Sequence, residues 1–414
     1  MKILIDLVWG YHILLLILFV GLIITIKSKF LQVRDFFKWI KSPFLKARST
    51  DGISPFQALS TALAGTIGTG NIAGVSLAIA VGGAGSIFWM WISAFFGMMT
   101  VFAEVVLSVK FAKNGLGAIS YIEKVGKKKI LAFIYAFACL GASLTMGNMA
   151  QANSVSSAIN NWGVPRIIIG LSLAIIVFFL ACGGIKRVSS LTEKLVPFMT
   201  VFFFAFSIYT LFKCRDRIPT AIAEIFESAF SFKAGLGGGL FIAVKTGISR
   251  GVFTNEAGLG LSTMAYSSVK NKTPKNLAYL GVFGVFMDTI VMCSITGLCV
   301  LVSTSQRTGD FLVRDAFENS LGNYGLFSVN MCMALFGFAT MTATSYYGKI
   351  GLKFISKDKL TFLFPYLACV FAFLGAVMPL AKVFEICDIF NAMLAIPNLI
   401  ALILLRKHFM NELK

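Results

Sequence analysis

Runs of about twenty mainly apolar residues recur along almost the whole of this 414-residue chain, which restricts it to structures that cross a bilayer. They fall at 8–27, 54–80, 85–111, 130–158, 166–185, 192–213, 237–266, 276–303, 324–348, 360–379 and 382–405, eleven expected spans. In hydrocarbon every backbone polar group needs a partner within the protein, so each span is expected to be a helix. The first run follows Lys2 as a secretion signal would. However, Ile23-Ile24-Thr25-Ile26-Lys27 offers no small-residue cleavage site, and the run reads as a retained span. Charged residues are 13% of the chain, against about 25% in soluble proteins, which agrees with a lipid-facing surface.

A formal charge of +19 would suggest a nucleic-acid partner in a soluble protein. The positions of the charges exclude that reading. Twenty-six of the 37 basic residues lie in alternate loops, beginning with Lys27 to Arg48, and nine lie in the opposite set; Lys245 and Arg250 fall within a span. This asymmetry predicts a multi-pass protein with its N-terminus outside and its C-terminus in the cytoplasm. The eight cysteines form no CxxC pair, and the two histidines sit near opposite ends. Zinc and haem ligand patterns are therefore missing, and no cofactor is expected.

Spans 2 and 7 depart from the rest. Span 2 carries Gly65-Thr66-Ile67-Gly68-Thr69-Gly70-Asn71-Ile72-Ala73-Gly74. Span 7 carries Gly235-Leu236-Gly237-Gly238-Gly239, then Gly247, Gly251, Thr254-Asn255-Glu256-Ala257-Gly258 and Gly260. Glycine costs about 1 kcal/mol relative to alanine inside a helix, so these runs predict broken helices, tolerated where the freed backbone lines a cavity. The two are five spans apart and start on opposite sides. Spans 2–6 and 7–11 are thus expected to be inverted copies, the pattern that marks the binding site of a secondary transporter.

Several motifs resemble the alanine/glycine:cation symporter family, also called sodium:alanine symporters. They are Gly65 to Val75, Gly82-Gly83-Ala84-Gly85-Ser86-Ile87-Phe88-Trp89-Met90-Trp91, Gly147 to Asn153, Gly183 to Arg187, Leu195 to Met199, Arg250 to Gly260, Asp288-Thr289 and Ile396-Pro397-Asn398-Leu399. The resemblance runs from about residue 50 to 405 in the family's order, and the Arg250–Gly260 stretch is its most specific part. It implies an all-α integral membrane fold: an inverted five-plus-five bundle of the leucine-transporter type with one extra N-terminal helix. The segments would be 1–50 (helix and basic cytoplasmic loop), 51–215 and 216–405 (the repeats) and 406–414 (a cytoplasmic tail). It also implies sodium-driven uptake of alanine, glycine and, for some members, D-alanine across a cell inner membrane. Two departures stand out. Ala84 replaces a usual proline, and in span 9 Ala339 and Thr344 replace a usual serine and tryptophan.

A zwitterionic amino acid needs donors for its carboxylate and acceptors for its ammonium. Thr69 through Gly74, with Gly70 and Gly74 allowing close approach, suit the carboxylate at a helix break. By resemblance Gln151 contacts substrate, and Phe253 closes the pocket with Thr254 beside it. Oxygen ligands suit sodium. Asn71, Thr254 and Asn255 with the substrate carboxylate would form one sodium site, and carbonyls of Ala64 to Gly68 with Thr340, and Thr344 beside it, a second. Glu104, Arg250, Glu256 and Asp288 are charges at membrane depth, expected to be gate or scaffold groups, with Arg250 and Glu256 pairing with each other or with freed backbone. Proton coupling through Glu104 or Asp288 is the alternative, or an uncoupled permease. GxxxxGK[ST] is missing, which disfavours an ATP-driven pump. No charge ring or repeated filter favours a channel, and no cluster of nucleophile, base or metal ligands favours an enzyme.

Overall fold

The structure, a computed structural model, describes residues 9–44, 52–113, 115–125, 129–231, 239–270, 273–304 and 312–413. Among these the chain is helical, with one isolated bridge between Gly52 and Val269. Six helices are long and apolar enough to cross a membrane: α4 (Gly85–Lys110), α6 (Ile130–Asn160), α8 (Ile185–Lys213), α12 (Pro274–Ser303), α14 (Asn323–Ser356) and α16 (Leu380–Leu404). A seventh crossing is the broken pair α2 (Pro55–Thr66) and α3 (Ala73–Gly82), bent by 54°. Shorter apolar helices are α1 (Tyr11–Lys27), α7 (Arg166–Ala181) and α15 (Phe364–Val377). The second interrupted element is α10 (Gly239–Asn255), followed by the single turn α11 (Thr263–Tyr266). The Gly235 to Gly238 part of the expected interruption lies outside the described residues.

Two helices overrun the apolar limits read from the sequence. α8 starts at Ile185 rather than 192, and α14 continues to Ser356 rather than 348. The added turns carry Lys186, Arg187, Lys349 and Lys353, so hydropathy ends where the helices leave the lipid but hydrogen bonding continues. Several helices lie outside the expected spans, among them α9 (Ile218–Ala229), which buries Ala221, Ile225 and Ala229, and α13 (Leu312–Leu321), which buries Leu312, Val313, Ala316 and Phe317. Both are amphipathic at helical spacing and too short to span. The short helix α5 (Ala118–Ile122) is buried along its length.

α7 and α8 face outward, exposing Ile167, Ile175, Phe179, Phe198, Val201 and Phe212. α4, α6, α12, α14 and α16 enclose the two broken elements. Small residues let these backbones approach closely, since lipid offers little hydrophobic drive for association. A Cβ on Gly375 of α15 would collide with the backbone oxygen of Met149 in α6, and one on Gly247 of α10 with that of Ser86 in α4. Two π-helical stretches, Ser143–Met149 in α6 and Phe286–Cys293 in α12, lie on the inner side. On the basic loop after α1, Asp35 accepts from Tyr279 at 2.7 Å and Lys38 at 3.0 Å. Burial pushes the Asp35 carboxyl up, but hydrogen bonds from Tyr279, Lys38 and Arg34 outweigh it and hold the group at about 2.

The close α6–α15 approach makes Gly375→Ala an overpacking change, expected to cost about 1–3 kcal/mol. A lowered thermal midpoint of the purified variant checks it; an unchanged midpoint would contradict the backbone contact.

Candidate substrate and cation site

The Ser54 hydroxyl and the Gln57 side chain form a reciprocal capping box that fixes the start of α2. α2 ends when Ile67 leaves the helical region and Gly68 becomes extended, and a 3₁₀ turn, Thr69–Asn71, leads into α3. Side chains satisfy the freed groups. The Gly68 N–H donates to Asn71 Oδ1 at 3.0 Å. Gln151 Oε1 accepts from the Thr69 N–H at 3.0 Å and from Thr69 Oγ1 at 2.9 Å, while Gln151 Nε2 donates to Met146 O in the π-stretch of α6.

The second break opens at Glu256, whose φ of 55° is left-handed, and passes through Gly258 and Gly260 at +88° and +73°. Such backbone suits glycine and is strained for glutamate. Here too the freed groups have partners. The Gly258 N–H donates to Glu104 Oε1 at 2.9 Å, and Asn398 Nδ2 donates to Glu104 Oε1 at 2.6 Å and to Gly258 O at 2.8 Å. Tyr121 of α5 donates to Asn398 Oδ1, and Tyr135 donates to Leu259 O at 2.6 Å.

The breaks lie side by side. A Cβ on Gly70 would sit 3.2 Å from Thr254 Cγ2 and 3.4 Å from Phe253 Cδ1, whereas one on Gly74 would meet nothing within 4 Å. Asn71 Nδ2 crosses to α12, donating to Asp288 O at 3.0 Å and Asp288 Oδ1 at 2.9 Å. Thr289 Oγ1 donates to Asp288 Oδ2 at 2.8 Å, accepts from Asn255 Nδ2 at 3.1 Å and lies 3.4 Å from Thr254 Oγ1. Thr69, Gly70, Asn71, Gln151, Phe253, Thr254, Asn255 and Asp288 thus form one cluster. Thr340 of α14 reaches its other edge, with Oγ1 only 2.5 Å from where a Gly68 Cβ would be, and that hydroxyl is buried without a partner. Thr344 Oγ1 donates back to Thr340 O at 2.7 Å, and the side chain lies over Gly147. Glu104, Glu256 and Asp288 are fully buried or nearly so, and among the described residues none pairs with a base. In their ionised form these carboxylates would favour a cation.

The expected Arg250–Glu256 pairing does not form. Arg250 Nη2 bonds Asp388 Oδ2 of α16 at 2.9 Å, and both Glu256 oxygens are buried without partners among the described residues. The geometry of the break explains this: Arg250 sits more than one helical turn before the point where the chain reverses at Glu256. The Arg250 guanidinium also stacks over Phe384 at 4.8 Å and lies 5.5 Å from Phe253, whose ring meets Phe384 at 5.1 Å. This layer floors a 440 Å³ cavity lined by Trp9, Leu77, Lys245 and Ser249. A 940 Å³ cavity at the opposite end is lined by Lys186, Ser268, Lys270 and Tyr346. Sequence reasoning missed Asp388 and Thr289 as partners. Asp388 carried a signal, as an acid well inside an apolar run; Thr289 carried none beyond its place in a quoted motif.

The whole chain, residues 1–414, matches the model of the sodium:alanine symporter family. It is 39% identical to the sodium/alanine symporter AgcS of Methanococcus maripaludis, covering 98% of this chain and 94% of that one. It is 33% identical to the Probable sodium/glutamine symporter GlnT of Bacillus subtilis, covering 99% and 88%. Among solved structures, MhsT in complex with L-phenylalanine shares the fold at a TM-score of 0.57 and 19% identity, over 86% of this chain and 90% of that one. The multi-pass helical architecture and the transporter class, as opposed to an enzyme, rest on these matches together with the membrane-length helices. The chain belongs to the sodium:alanine symporter family.

Proposed function

We propose that this protein is a secondary active transporter that carries small neutral amino acids (alanine, glycine and D-alanine) together with sodium by alternating access. One observation carries the reading: Gly70 at the first break faces Thr254 and Phe253 at the second, while Asn71 from the first and Asn255, through Thr289, from the second meet at Asp288. The space beside Gly74 admits a small ligand at the start of α3, where a helix N-terminus favours a carboxylate. Small walls suit a small side chain. The names of AgcS and GlnT support sodium as the coupling ion and an amino acid as cargo.

In this reading eleven helices span the membrane, with residues 51–215 and 216–405 as inverted repeats. Residues 1–50 add the extra helix and basic loop, and residues 406–414 form the cytoplasmic tail. The N-terminus is outside and the C-terminus cytoplasmic, from the basic-loop asymmetry. Asn71, Thr254, Asn255 and the substrate carboxylate hold one sodium ion. Thr340, whose hydroxyl is buried without a partner beside Gly68, holds a second with the carbonyls of the α2 end. Thr69, Gln151 and Phe253 complete the substrate pocket. Arg250 and Asp388 act as a gate between pocket and 440 Å³ cavity, and Glu104 braces the second break. Glu256 and Asp288 supply negative potential. Proton coupling is the second reading, supported by Glu104 Oε2, which is buried without a partner.

Uptake of labelled alanine and glycine into proteoliposomes, with sodium and proton gradients imposed separately, tests this directly. A sodium gradient alone should drive accumulation; uptake that follows only a proton gradient would support the second reading instead. Asn71→Ala removes a hydrogen bond to the Asp288 carboxylate, worth about 1.5–3 kcal/mol when that group is charged, and one to its backbone carbonyl, worth about 0.5–1.5 kcal/mol. Apparent sodium affinity should fall at least roughly tenfold, and an unaltered sodium dependence would refute the ligand role. Asp388→Asn should reduce alanine uptake by roughly tenfold or more, because Arg250 is left buried without its counter-charge. The sodium dependence should stay near wild type; a parallel loss of sodium affinity would move the pair from the gate to the cation site.

A further inference from the structure

On the outer face of the bundle, α1 and α16 leave a groove of about 160 Å³ between them. Its walls are Phe19, Ile23, Leu402, Ile403 and Phe409, and Phe19 and Ile403 are exposed there. Lys27 and Arg406 also line it, at the last residue of α1 and just beyond the end of α16. The two helices run the same way, so both cations lie at the same end of the groove. Neither has an ion pair or hydrogen bond among the described residues.

A cation at a helix C-terminus is favourable by itself. That accounts for Lys27, in the last turn of α1, but not for Arg406, which opens the short helix Arg406–Met410 and lines the same apolar slot. Like charges repel, and their approach is stable when an anion lies between them. We propose that this groove is a binding site for an anionic phospholipid of the cytoplasmic leaflet, with its phosphate between Lys27 and Arg406 and one acyl chain along Phe19 and Ile23. A basic pocket between transmembrane helices on the cytoplasmic side has the chemistry for such a headgroup. The leaflet assignment rests on the proposed orientation; the binding itself does not.

The site is placed where it matters for the broken helix. Farther along the same seam, Ile17 of α1 and Leu399 of α16 lie 3.5 and 3.6 Å from where a Gly258 Cβ would be. A lipid filling the groove clamps α1 and α16 against the second break.

Purified protein in detergent, without sodium or amino acid, is titrated with phosphatidylglycerol, with phosphatidylcholine of the same chains, and with inorganic phosphate. Thermal midpoint and retained lipid by native mass spectrometry are read. Phosphatidylglycerol should bind and raise the midpoint, and the other two should not. Each cation near an anionic headgroup is worth roughly fivefold in affinity. Lys27→Gln with Arg406→Gln should therefore weaken phosphatidylglycerol binding roughly 25-fold. Ile23→Trp fills the groove with both charges kept, and should abolish the midpoint shift; it decides the matter if the double variant does not fold. Wild-type phosphatidylglycerol binding in Ile23→Trp, or in a folded double variant, would overturn the proposal, as would phosphate reproducing the shift. Because no transport is measured, the result stands apart from that of the sodium assays.

Discussion

Backbone N–H and C=O groups released inside a membrane cost several kcal/mol each if left unpaired, and much of this interior is arranged around that cost. Two helices give up regular hydrogen bonding, at Ile67 to Ile72 and at Glu256 to Ser262. Asn71 and Gln151 compensate the first break, and Glu104, Asn398 and Tyr135 the second. Apart from Asn71, which lies in the break itself, these partners come from α6, α4 and α16, so the tight glycine-mediated packing around them has a purpose beyond stability. It holds polar side chains at the depth where backbone would otherwise be orphaned.

Not every group is satisfied: among the described residues, buried side-chain atoms without partners occur across the bundle, from Ser86 and Ser120 to Asn330 and Asn391. Thr340 Oγ1, both Glu256 oxygens and Glu104 Oε2 are buried without partners within the same central region. A native interior satisfies most of its buried polar atoms. Three buried acids there, with no base paired to them among the described residues, are the physical basis for proposing that cations bind in this region. The Arg250–Asp388 pair stands apart from it and keeps the one buried guanidinium of this region away from those acids.

Much of this was legible in the sequence because hydropathy and glycine act locally. A twenty-residue apolar run declares a span, and Gly65 to Gly74 declares a break whatever surrounds it. Charged ends were less legible: Lys186 and Arg187 hide the first turns of α8 because hydropathy measures lipid contact, not hydrogen bonding. Partner choice was least legible. Arg250 and Glu256 are close in sequence, yet the left-handed turn at Glu256 separates them and Asp388, far along the chain, takes the arginine. Thr289 joins Asn255 to Asp288 by a three-dimensional coincidence of α10 and α12 that no spacing encodes. The Asn71–Asp288 bond is the same kind of fact.

The account holds that one cluster, joined through Asn71, receives both ion and substrate, so the two must bind with mutual dependence. Equilibrium binding of labelled alanine to the purified protein, measured across a sodium titration at constant ionic strength, tests this most directly. Alanine affinity should rise as sodium replaces an inert cation, and sodium affinity should rise by the same factor when alanine is present. Alanine binding of equal affinity with and without sodium would contradict the shared site.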